Sequence, residues 1–281
     1  MTLQHHEIAE AGHRILNPFT EEKLLLLGEV CRLRPGQRQL DLACGKGEML
    51  CRWAERHGTS GLGVDLSQVF LTAATARAGQ LGVSDRVRFR HGDAGAVTTG
   101  VADAPGTADG QPGQPIVVEA GGYDVVSCIG ATWIGAGLAG TIELLRPALR
   151  PGGLILIGEP YWIDEPPPAA YQDLGVGTAD YTSLAGTLDR FEAAGTDLVE
   201  MVLADQDSWD RYVASQWWTI DRWLHANPDH PEAGAMAQFL HDSRGSHLRH
   251  QRRFFGWGVF VLRDTRTGPA AGTTDAGTAH V

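Results

Sequence analysis

The stretch LDLACGKGEML, from Leu40 to Leu50, constrains the fold of this chain more than any other part of the sequence. It combines an apolar strand that ends in an acid, a glycine-rich turn, and the first turns of an amphipathic helix. Units of this kind open the parallel sheets of doubly wound α/β proteins, in which the turn approaches a bound ligand closely. We therefore expect a parallel sheet with a ligand site above this turn.

Apolar strands and helical segments alternate along the rest of the chain, which is the pattern of βαβ units. After the first strand, further strands are predicted at 61–67, 85–94, 123–132, 154–162, 196–205 and 254–264. Thr20 is followed by two acids, which predicts a capped helix start before the first strand. The alternation predicts one domain over residues 1–264, with helices within residues 1–35 as an N-terminal lid.

Two segments have the composition of irregular chain. Residues 101–115, VADAPGTADGQPGQP, are rich in glycine, proline and aspartate and predict a flexible surface insertion. Residues 265–281 are rich in glycine, threonine and alanine and predict a disordered tail.

The charge and composition disfavour several classes of partner. The formal net charge is −11, and the one basic segment, 244–253, is short, which disfavours a nucleic-acid partner. No apolar run approaches the roughly 20 residues of a membrane helix, and the first residues lack the pattern of a secretory signal. Cys31, Cys44, Cys51 and Cys128 form no C-x-x-C pair, which favours reduced thiols and a cytoplasmic protein.

The glycine turn departs from the dinucleotide-binding fingerprint G-x-G-x-x-G. Gly45 and Gly47 are present, but Leu50 stands where the third glycine would be. Asp41, directly before the turn, would repel a pyrophosphate at the helix N-terminus. The turn therefore favours a ligand that has no phosphate and brings a positive charge. S-adenosylmethionine (SAM), with its amino group and sulfonium, is such a ligand.

Five segments in register resemble the class I SAM-dependent methyltransferases. The run from Asp41 to Gly47, D-x-A-C-G-x-G, resembles the first motif of the family, and GVD places Asp65 where the family's acid binds the ribose hydroxyls. HGDA places Asp93 and Ala94 where the family contacts the adenine. This resemblance, clearest over residues 20–160, implies an α/β, doubly wound, seven-stranded and mostly parallel sheet with an antiparallel last strand.

The resemblance also implies a SAM site, with S-adenosyl-L-homocysteine (SAH) as the product. The residues expected to line it are Asp41, Ala43, Cys44, Gly45, Gly47, Asp65, Leu66, Asp93, Ala94 and Ile129. Cys44 is interpreted as a small packing residue, because nothing nearby in the sequence would activate its thiol. No metal is predicted, since His247 and His250 have the spacing of two ligands but no third ligand is apparent.

The segments HRILNPFT and MVLADQDSWDRY also resemble a bacterial subgroup that acts on small molecules. We therefore expect a small organic acceptor, held over the carboxyl ends of the strands beneath the N-terminal segment. Glu159, Tyr161 and His13 are the candidates for a general base there, with Asp205 and Asp207 as further candidates. Glu159 is preferred because it leaves a buried strand at the crevice edge. The alternative interpretations are a structural acid for Glu159 and a lid residue for His13.

Aromatic residues predict the acceptor pocket. Phe19, Trp133, Trp162 and Trp218 suggest a site for a flat apolar acceptor, such as an indole-like secondary metabolite. Helical spacing places Trp218 opposite a broad apolar face that is more typical of core. That face consists of Trp209, Tyr212, Val213, Trp217, Ile220, Trp223 and Leu224.

Other functions stay open at this point. The acceptor could instead be a quinone-like or carboxylate metabolite, and a SAM-binding sensor or scaffold without turnover would carry the same motifs. A dinucleotide oxidoreductase is disfavoured by the missing third glycine. A macromolecule methyltransferase is disfavoured by the acidic charge and by the absence of an Asn-Pro-Pro-Tyr motif.

Overall fold

The structure is a computed structural model, and it describes residues 2–100 and 116–266. The helices are α1 Leu3–Ala9, α2 Glu21–Val30, α3 Glu48–His57, α4 Gln68–Gln80, α5 Leu138–Leu145, α6 Pro168–Leu174, α7 Leu184–Ala193, α8 Gln206–Ala226, α9 Ala233–Ser246 and α10 Arg252–Phe254. The strands are β1 Arg38–Leu42, β2 Ser60–Asp65, β3 Val87–His91, β4 Thr98–Gly100, β5 Val117–Glu119, β6 Tyr123–Ile129, β7 Leu149–Trp162, β8 Thr196–Leu203 and β9 Phe255–Asp264. The predicted insertion at 101–115 and the tail from 267 lie outside the described residues.

Within the described part of the chain, the main sheet has seven strands in the order β3-β2-β1-β6-β7-β9-β8. Strands β1, β2, β3, β6 and β7 pair in parallel. β9 runs antiparallel to both of its neighbours, β7 and β8. The predicted mostly parallel sheet with an antiparallel last strand is thereby confirmed. Because parallel strands end at one edge of a sheet, the turns after β1, β2, β3 and β6 meet there.

Side chains of the central strands alternate between two apolar layers. Ile157 and Tyr161 of β7 pack in the layer that contains Ile142 of α5 and Phe191 of α7. Leu156 and Trp162 of the same strand belong to the opposite layer, against α2, α3 and α8. This period of two follows from the pleat of a strand and decides to which face of the sheet each side chain points.

The N-terminal segment and the last helices pack on one another. Ala9 of α1 is buried against Ile220 of α8 and against Met236 and Leu240 of α9. After α1 the chain runs without regular structure through residues 10–20 and reaches α2, which Thr20 caps by accepting from the backbone N–H of Lys23 at 3.3 Å. No helix in the described ranges is long and apolar enough to span a bilayer.

Candidate functional site

The glycine turn after β1 has a backbone conformation that residues with a side chain rarely adopt. Ala43, Gly45 and Gly47 have φ values of 59°, 55° and 63°, in the left-handed region. A Cβ atom on Gly45 would lie 2.7 Å from Leu16, and one on Gly47 would lie 2.5 Å from the Phe89 ring. The turn is therefore tight on both sides, and Gly47 starts α3 as its N-cap.

Asp65, the last residue of β2, holds this turn in place. Its Oδ2 accepts from the backbone N–H of Gly45 at 2.8 Å, and its Oδ1 accepts from the N–H of Ser67 at 2.8 Å. Burial raises the pKa of Asp65, and these two backbone donors offset part of the rise. The carboxylate thus tethers the glycine turn to the end of the neighbouring strand while it forms part of a cavity wall.

Asp41 is a second buried acid beneath the turn. The Ser127 hydroxyl donates to its Oδ1 at 2.7 Å. Burial raises the pKa of Asp41 to about 7, the hydrogen bond from Ser127 opposes the rise, and the nearby Asp65 adds to it. An acid of this kind is stabilised in its charged form by a cation bound beside it.

A cavity of about 1150 Å³ opens above the turn, between the ligand edge of the sheet and the segments that cover it. Apolar side chains form much of one wall, from the segment before α2, from α2 and α3, and from α8 and β9. They are Phe19, Leu24, Leu27, Met49, Trp209, Val213, Trp257 and Val259. Polar groups also line it. They come from residues 10–20, here called the lid segment, from α6, α8 and α9, and from the turn after α9. They include Arg14, Asn17, Gln172, Tyr212, Gln216, Asp242, Ser243 and Gln251.

Nearly all of the residues predicted from the resemblance to hold SAM come together on this cavity. Those that line it are Asp41, Ala43, Cys44, Gly45, Asp65, Leu66, Asp93, Ala94 and Ile129. Gly47 does not line it and lies against the Phe89 ring. Asp93 Oδ1 accepts from the N–H of Gly95 at 2.8 Å, which shapes the turn after β3. The assignment of these residues to SAM remains a prediction at this point.

The aromatic residues predicted for the acceptor separate into two groups. Phe19 and Trp133 line the cavity, although Trp133 is 74% exposed. Trp162 is buried away from it, among Tyr171, Tyr181 and Phe255. Trp218 is 66% exposed and does not line the cavity. It lies off the face of α8 that carries Trp209, Tyr212 and Val213, and that face, which the sequence assigns to core, is the one that meets the cavity.

The three predicted bases do not line the cavity. Glu159 and Tyr161 lie on the side of β7 that carries Ile157, while Trp257 and Val259 on the opposite side of the sheet meet the cavity. The Thr132 hydroxyl donates to Glu159 Oε2 at 2.8 Å, and burial raises the pKa of Glu159 to about 7 against that hydrogen bond. As bases, both remain sequence predictions, and their placement counts against direct contact with an acceptor.

His13, the third predicted base, belongs to a buried polar cluster that sequence reasoning missed. Its Nδ1 lies 2.9 Å from Oε2 of Glu10, which is fully buried. The Tyr212 hydroxyl donates to Glu10 Oε1 at 2.5 Å, and Gln216 Nε2 donates to the same oxygen at 2.6 Å. Lys46, in the glycine turn, donates to the backbone carbonyls of Glu10 and His13 at 2.7 and 2.6 Å. The only signal in the sequence is an acid and a histidine three residues apart in the head, which is too common to single out.

The two histidines considered as metal ligands have separate partners. His247 Nε2 lies 2.9 Å from Asp210 Oδ1, whereas His250 Nε2 lies 3.1 Å from Asp173 Oδ2. Among residues 2–100 and 116–266, no group of three or more His, Cys, Asp or Glu side chains could hold a metal ion.

Comparison with known proteins places this site among methyltransferases. A family model described as "Methyltransferase domain" matches residues 33–214. The uncharacterized protein YjhP of Escherichia coli strain K12 is 47% identical over 257 residues, which cover 91% of this chain and 96% of YjhP.

Two crystal structures of SAM-dependent methyltransferases in complex with SAH are similar over nearly their full length. The protein from Geobacter sulfurreducens is 46% identical, with a TM-score of 0.83 and coverage of 94% of this chain and 98% of that one. The protein from Thiobacillus denitrificans is 45% identical, with a TM-score of 0.82 and coverage of 92% and 97%.

Proposed function

Because this chain belongs to the family of class I SAM-dependent methyltransferases and uses SAM as its methyl donor, we propose that it methylates a small, largely apolar organic molecule. The single observation that carries the proposal is the shared cavity of about 1150 Å³. One wall is the glycine turn with its acids, and another is the apolar wall formed by α2, α8 and β9. A donor on the first wall and an acceptor on the second would share one cavity.

The residues around the turn fit SAM on chemical grounds. Gly45 lines the cavity without a side chain, so the backbone of the turn can approach a bound ligand closely. Asp65 has the oxygens to accept from two adjacent ribose hydroxyls, and Asp93 and Ala94 would meet the adenine. Asp41, whose burial favours its neutral form, would be charged by the proximity of the SAM amino group.

The apolar wall supports an acceptor with a flat or aliphatic body. Phe19 packs edge-to-face on Trp257, with ring centroids 5.4 Å apart, and Trp209 and Val213 extend the same surface along α8. Aromatic rings offer a large contact area and bind other rings in stacked or edge-on arrangements. An aromatic secondary metabolite is the class of acceptor that this wall suits best.

Bound SAM supplies a methyl group that its sulfonium has already activated. The chain's own task is mainly to align the methyl donor with the acceptor and to keep water away from both. Alignment of two reacting atoms can supply about 7–11 kcal/mol of barrier reduction. The lid segment around Leu16 and Asn17 covers the turn, and Asn17 Nδ2 donates to the carbonyl of Ile129 at 3.4 Å. The apolar wall would keep water from the reacting atoms.

The experiment that tests this function combines binding with an acceptor screen. Purified protein would be titrated with SAH by calorimetry and then incubated with SAM and a panel of indoles, phenols, amines, carboxylic acids and thiols. Mass spectrometry would detect one added methyl group per product. Asp65→Ala is the blank for the site, and Asp85→Ala, at a side chain that is 80% exposed, is the matched surface control.

Methylation of an aromatic or other apolar acceptor by wild type and by Asp85→Ala, but not by Asp65→Ala, is the expected result. SAH binding without methylation of any panel member would instead favour a SAM-binding sensor. Methylation confined to small polar carboxylic acids would contradict the apolar acceptor.

A further inference from the structure

Methyl transfer to a hydroxyl or an N–H group leaves one proton to be removed. In the proposed function, the acceptor's lone pair forms the new bond to the methyl carbon, the S–C bonding pair stays on sulfur, and the acceptor's proton must leave the cavity. The further inference rests on that function and concerns the proton. Glu159 and Tyr161 face away from the cavity, so another group must receive it.

Tyr212 is a group on the cavity wall that combines a lone pair with a proton outlet. It lines the cavity from α8, and its hydroxyl donates to Glu10 Oε1 at 2.5 Å. A phenol oxygen in this arrangement can accept a proton from one side as it gives its own to the other. Burial and the adjacent Glu10 raise the pKa of Tyr212 well above its usual range, so it stays protonated until such an exchange.

Glu10 continues the connection away from the cavity. Its Oε2 lies 2.9 Å from His13 Nδ1, and the Glu10 side chain is fully buried. His13 Nε2 lies 2.5 Å from Ser215 Oγ, whose own hydroxyl donates to the carbonyl of Arg211 at 2.8 Å. Because the Ser215 hydroxyl donates its proton to that carbonyl, its oxygen acts as the acceptor toward His13, and His13 Nε2 is the donor. The other ring nitrogen, Nδ1, is then the one that faces the Glu10 carboxylate.

The His13 end of this cluster reaches a second hollow, of about 320 Å³, on the outer side of the lid segment. His13 and Ser215 line it, and its rim carries the exposed residues Arg14, Asp207 and Arg211. Tyr212 lines both the cavity and this hollow. The cluster therefore connects the cavity with the outer hollow through two hydrogen bonds, Tyr212–Glu10 and His13–Ser215, and one close ion-pair contact between Glu10 and His13.

The charges around Glu10 favour its ionised form. Burial by itself would raise the pKa of Glu10, but the contacts with His13 and Tyr212 and the charge of His6 outweigh it, and the pKa is lowered. Lys46, in the glycine turn, donates from its ammonium to the backbone carbonyl of Glu10. A carboxylate held ionised inside the protein is a proton acceptor that water does not dilute.

We propose that Tyr212, Glu10 and His13 form a proton-transfer path that takes the acceptor's proton out of the cavity. The acceptor O–H or N–H gives its proton to Tyr212 Oη as Tyr212 gives its own to Glu10 Oε1. The protonated Glu10 then gives a proton to His13 Nδ1 as His13 releases its Nε2 proton to the outer hollow, which returns Glu10 to the carboxylate. One proton enters the cluster and one leaves it, so the buried charge is the same before and after, and no oxidant or reductant is required.

The competing explanation is that the cluster only clamps the lid to α8. Ile220→Ala is the matched control, because Ile220 is fully buried between α1, α8 and α9, lies outside the cavity wall, and has no proton to transfer. If the cluster is a clamp, loosening this packing should affect turnover as much as Tyr212→Phe does. If it is a path, only the variants of the path should lose turnover.

The first measurement needs no acceptor. The ¹⁵N shifts of the His13 ring would be recorded at neutral pH with bound SAH, with His13→Gln to assign the signals. We expect Glu10→Gln and Tyr212→Phe to move the Nδ1 shift of His13, whereas Ile220→Ala should leave it in place. A His13 ring that is insensitive to both path variants would overturn the connection.

The second measurement compares two acceptors that differ only in the transferable proton. With N-methylaniline, Tyr212→Phe and Glu10→Gln should lower kcat by about 10²-fold or more, as for loss of a general base, and the remaining rate should rise with pH. With N,N-dimethylaniline, which has no proton to lose, the same variants should retain wild-type kcat. Should the screen yield another N–H acceptor, that amine and its tertiary-amine analogue replace this pair.

The outcomes separate this proposal from the proposed function. Wild type that methylates its acceptor, with Tyr212→Phe matching it at every pH, overturns the path and leaves the function intact. Equal losses with both members of the acceptor pair, or in Ile220→Ala, identify a clamp. Wild-type protein that binds SAH but methylates no acceptor would contradict the proposed function and, with it, the proton-transfer path.

Discussion

The backbone N–H of Gly45 donates to Oδ2 of Asp65 at 2.8 Å, so the acid that ends β2 also holds the glycine turn that follows β1. One carboxylate therefore links two neighbouring strands at the ligand edge. It shapes the turn and offers its remaining lone pairs to the cavity. Loss of this acid should affect both the ligand and the turn.

Asp65→Asn should weaken SAH binding by about 10- to 100-fold, because hydrogen bonds to a charged group are worth roughly 1.5–3 kcal/mol. The amide keeps the size of the side chain but has lost the charge and one acceptor oxygen. Calorimetric titration with SAH measures the change, with Asp85→Asn as the exposed control. Equal affinity in Asp65→Asn and wild type would remove Asp65 from the SAM site.

Asp41 should make SAH binding depend on pH in the neutral range. Burial raises the pKa of Asp41 to about 7, so lowering the pH from about 8 to about 6 converts the carboxylate to its neutral form. The SAH amino group then loses its counter-charge, and the dissociation constant should rise as the pH falls. In Asp41→Asn the affinity should be lower at high pH and nearly independent of pH, and an unchanged pH dependence would contradict the assignment.

The same acid gives a second readout in the free protein. A carboxyl whose pKa is higher in the folded chain than in the unfolded chain binds more protons when folded, so the free energy of unfolding falls as the pH rises between the two pKa values. For Asp41 this window runs from about 4 to about 7. Asp41→Asn should therefore lose less stability than wild type between these pH values, as measured by urea unfolding of the SAH-free protein.

The glycine-turn wall of the cavity was readable from the sequence because its parts are local. Asp41, Gly45 and Asp65 belong to a strand–turn–helix unit whose spacing sets the backbone, and parallel strands bring such turns to one edge. The apolar wall that we propose for the acceptor was readable only in part. Its residues Phe19, Trp209 and Trp257 lie far apart in the chain and meet only when β9 and α8 pack.

Glu159 shows why a position near the end of a strand does not suffice to predict that a residue faces the cavity. The sequence gives the end of β7 but not the side to which a given residue points, since a shift of one residue exchanges the two sides. Glu159 lies on the side of Ile157 and accepts from Thr132. The polar cluster around Glu10 depends on contacts over about two hundred positions, to Tyr212 and Gln216, and no local pattern reports them.

Lys46 should control how long SAH stays bound. Its ammonium donates to the backbone carbonyls of Glu10, Ala11 and His13, so it ties the glycine turn to the lid segment. Lys46→Met keeps the aliphatic stem and removes these hydrogen bonds. We expect faster SAH dissociation in stopped-flow experiments and faster tryptic cleavage after the exposed Arg14.

Lys23→Met is the matched control for that experiment. Lys23 also donates to a backbone carbonyl, that of Leu203 at 2.6 Å, but it ties α2 to β8 and does not line the cavity. Its variant should lose some stability without a change in the SAH dissociation rate. Similar dissociation rates in Lys46→Met and wild type would show that the lid segment does not retain the ligand.

Trp209 and Trp218 lie on the same helix and should differ in their effect on the acceptor. Trp209 lines the cavity and is 7% exposed, whereas Trp218 is 66% exposed. Trp209→Leu removes ring contact from the apolar wall and should raise KM for the acceptor by about 10-fold or more, as expected for lost contacts in an apolar pocket. Trp218→Leu makes the same chemical change on the outside and should leave KM near that of wild type.

SAH affinity, measured for both variants, should stay close to wild type because neither ring belongs to the glycine-turn wall. A rise in KM for Trp218→Leu without one for Trp209→Leu would move the acceptor site to the outer surface of α8, where the sequence pattern alone had placed one of its rings.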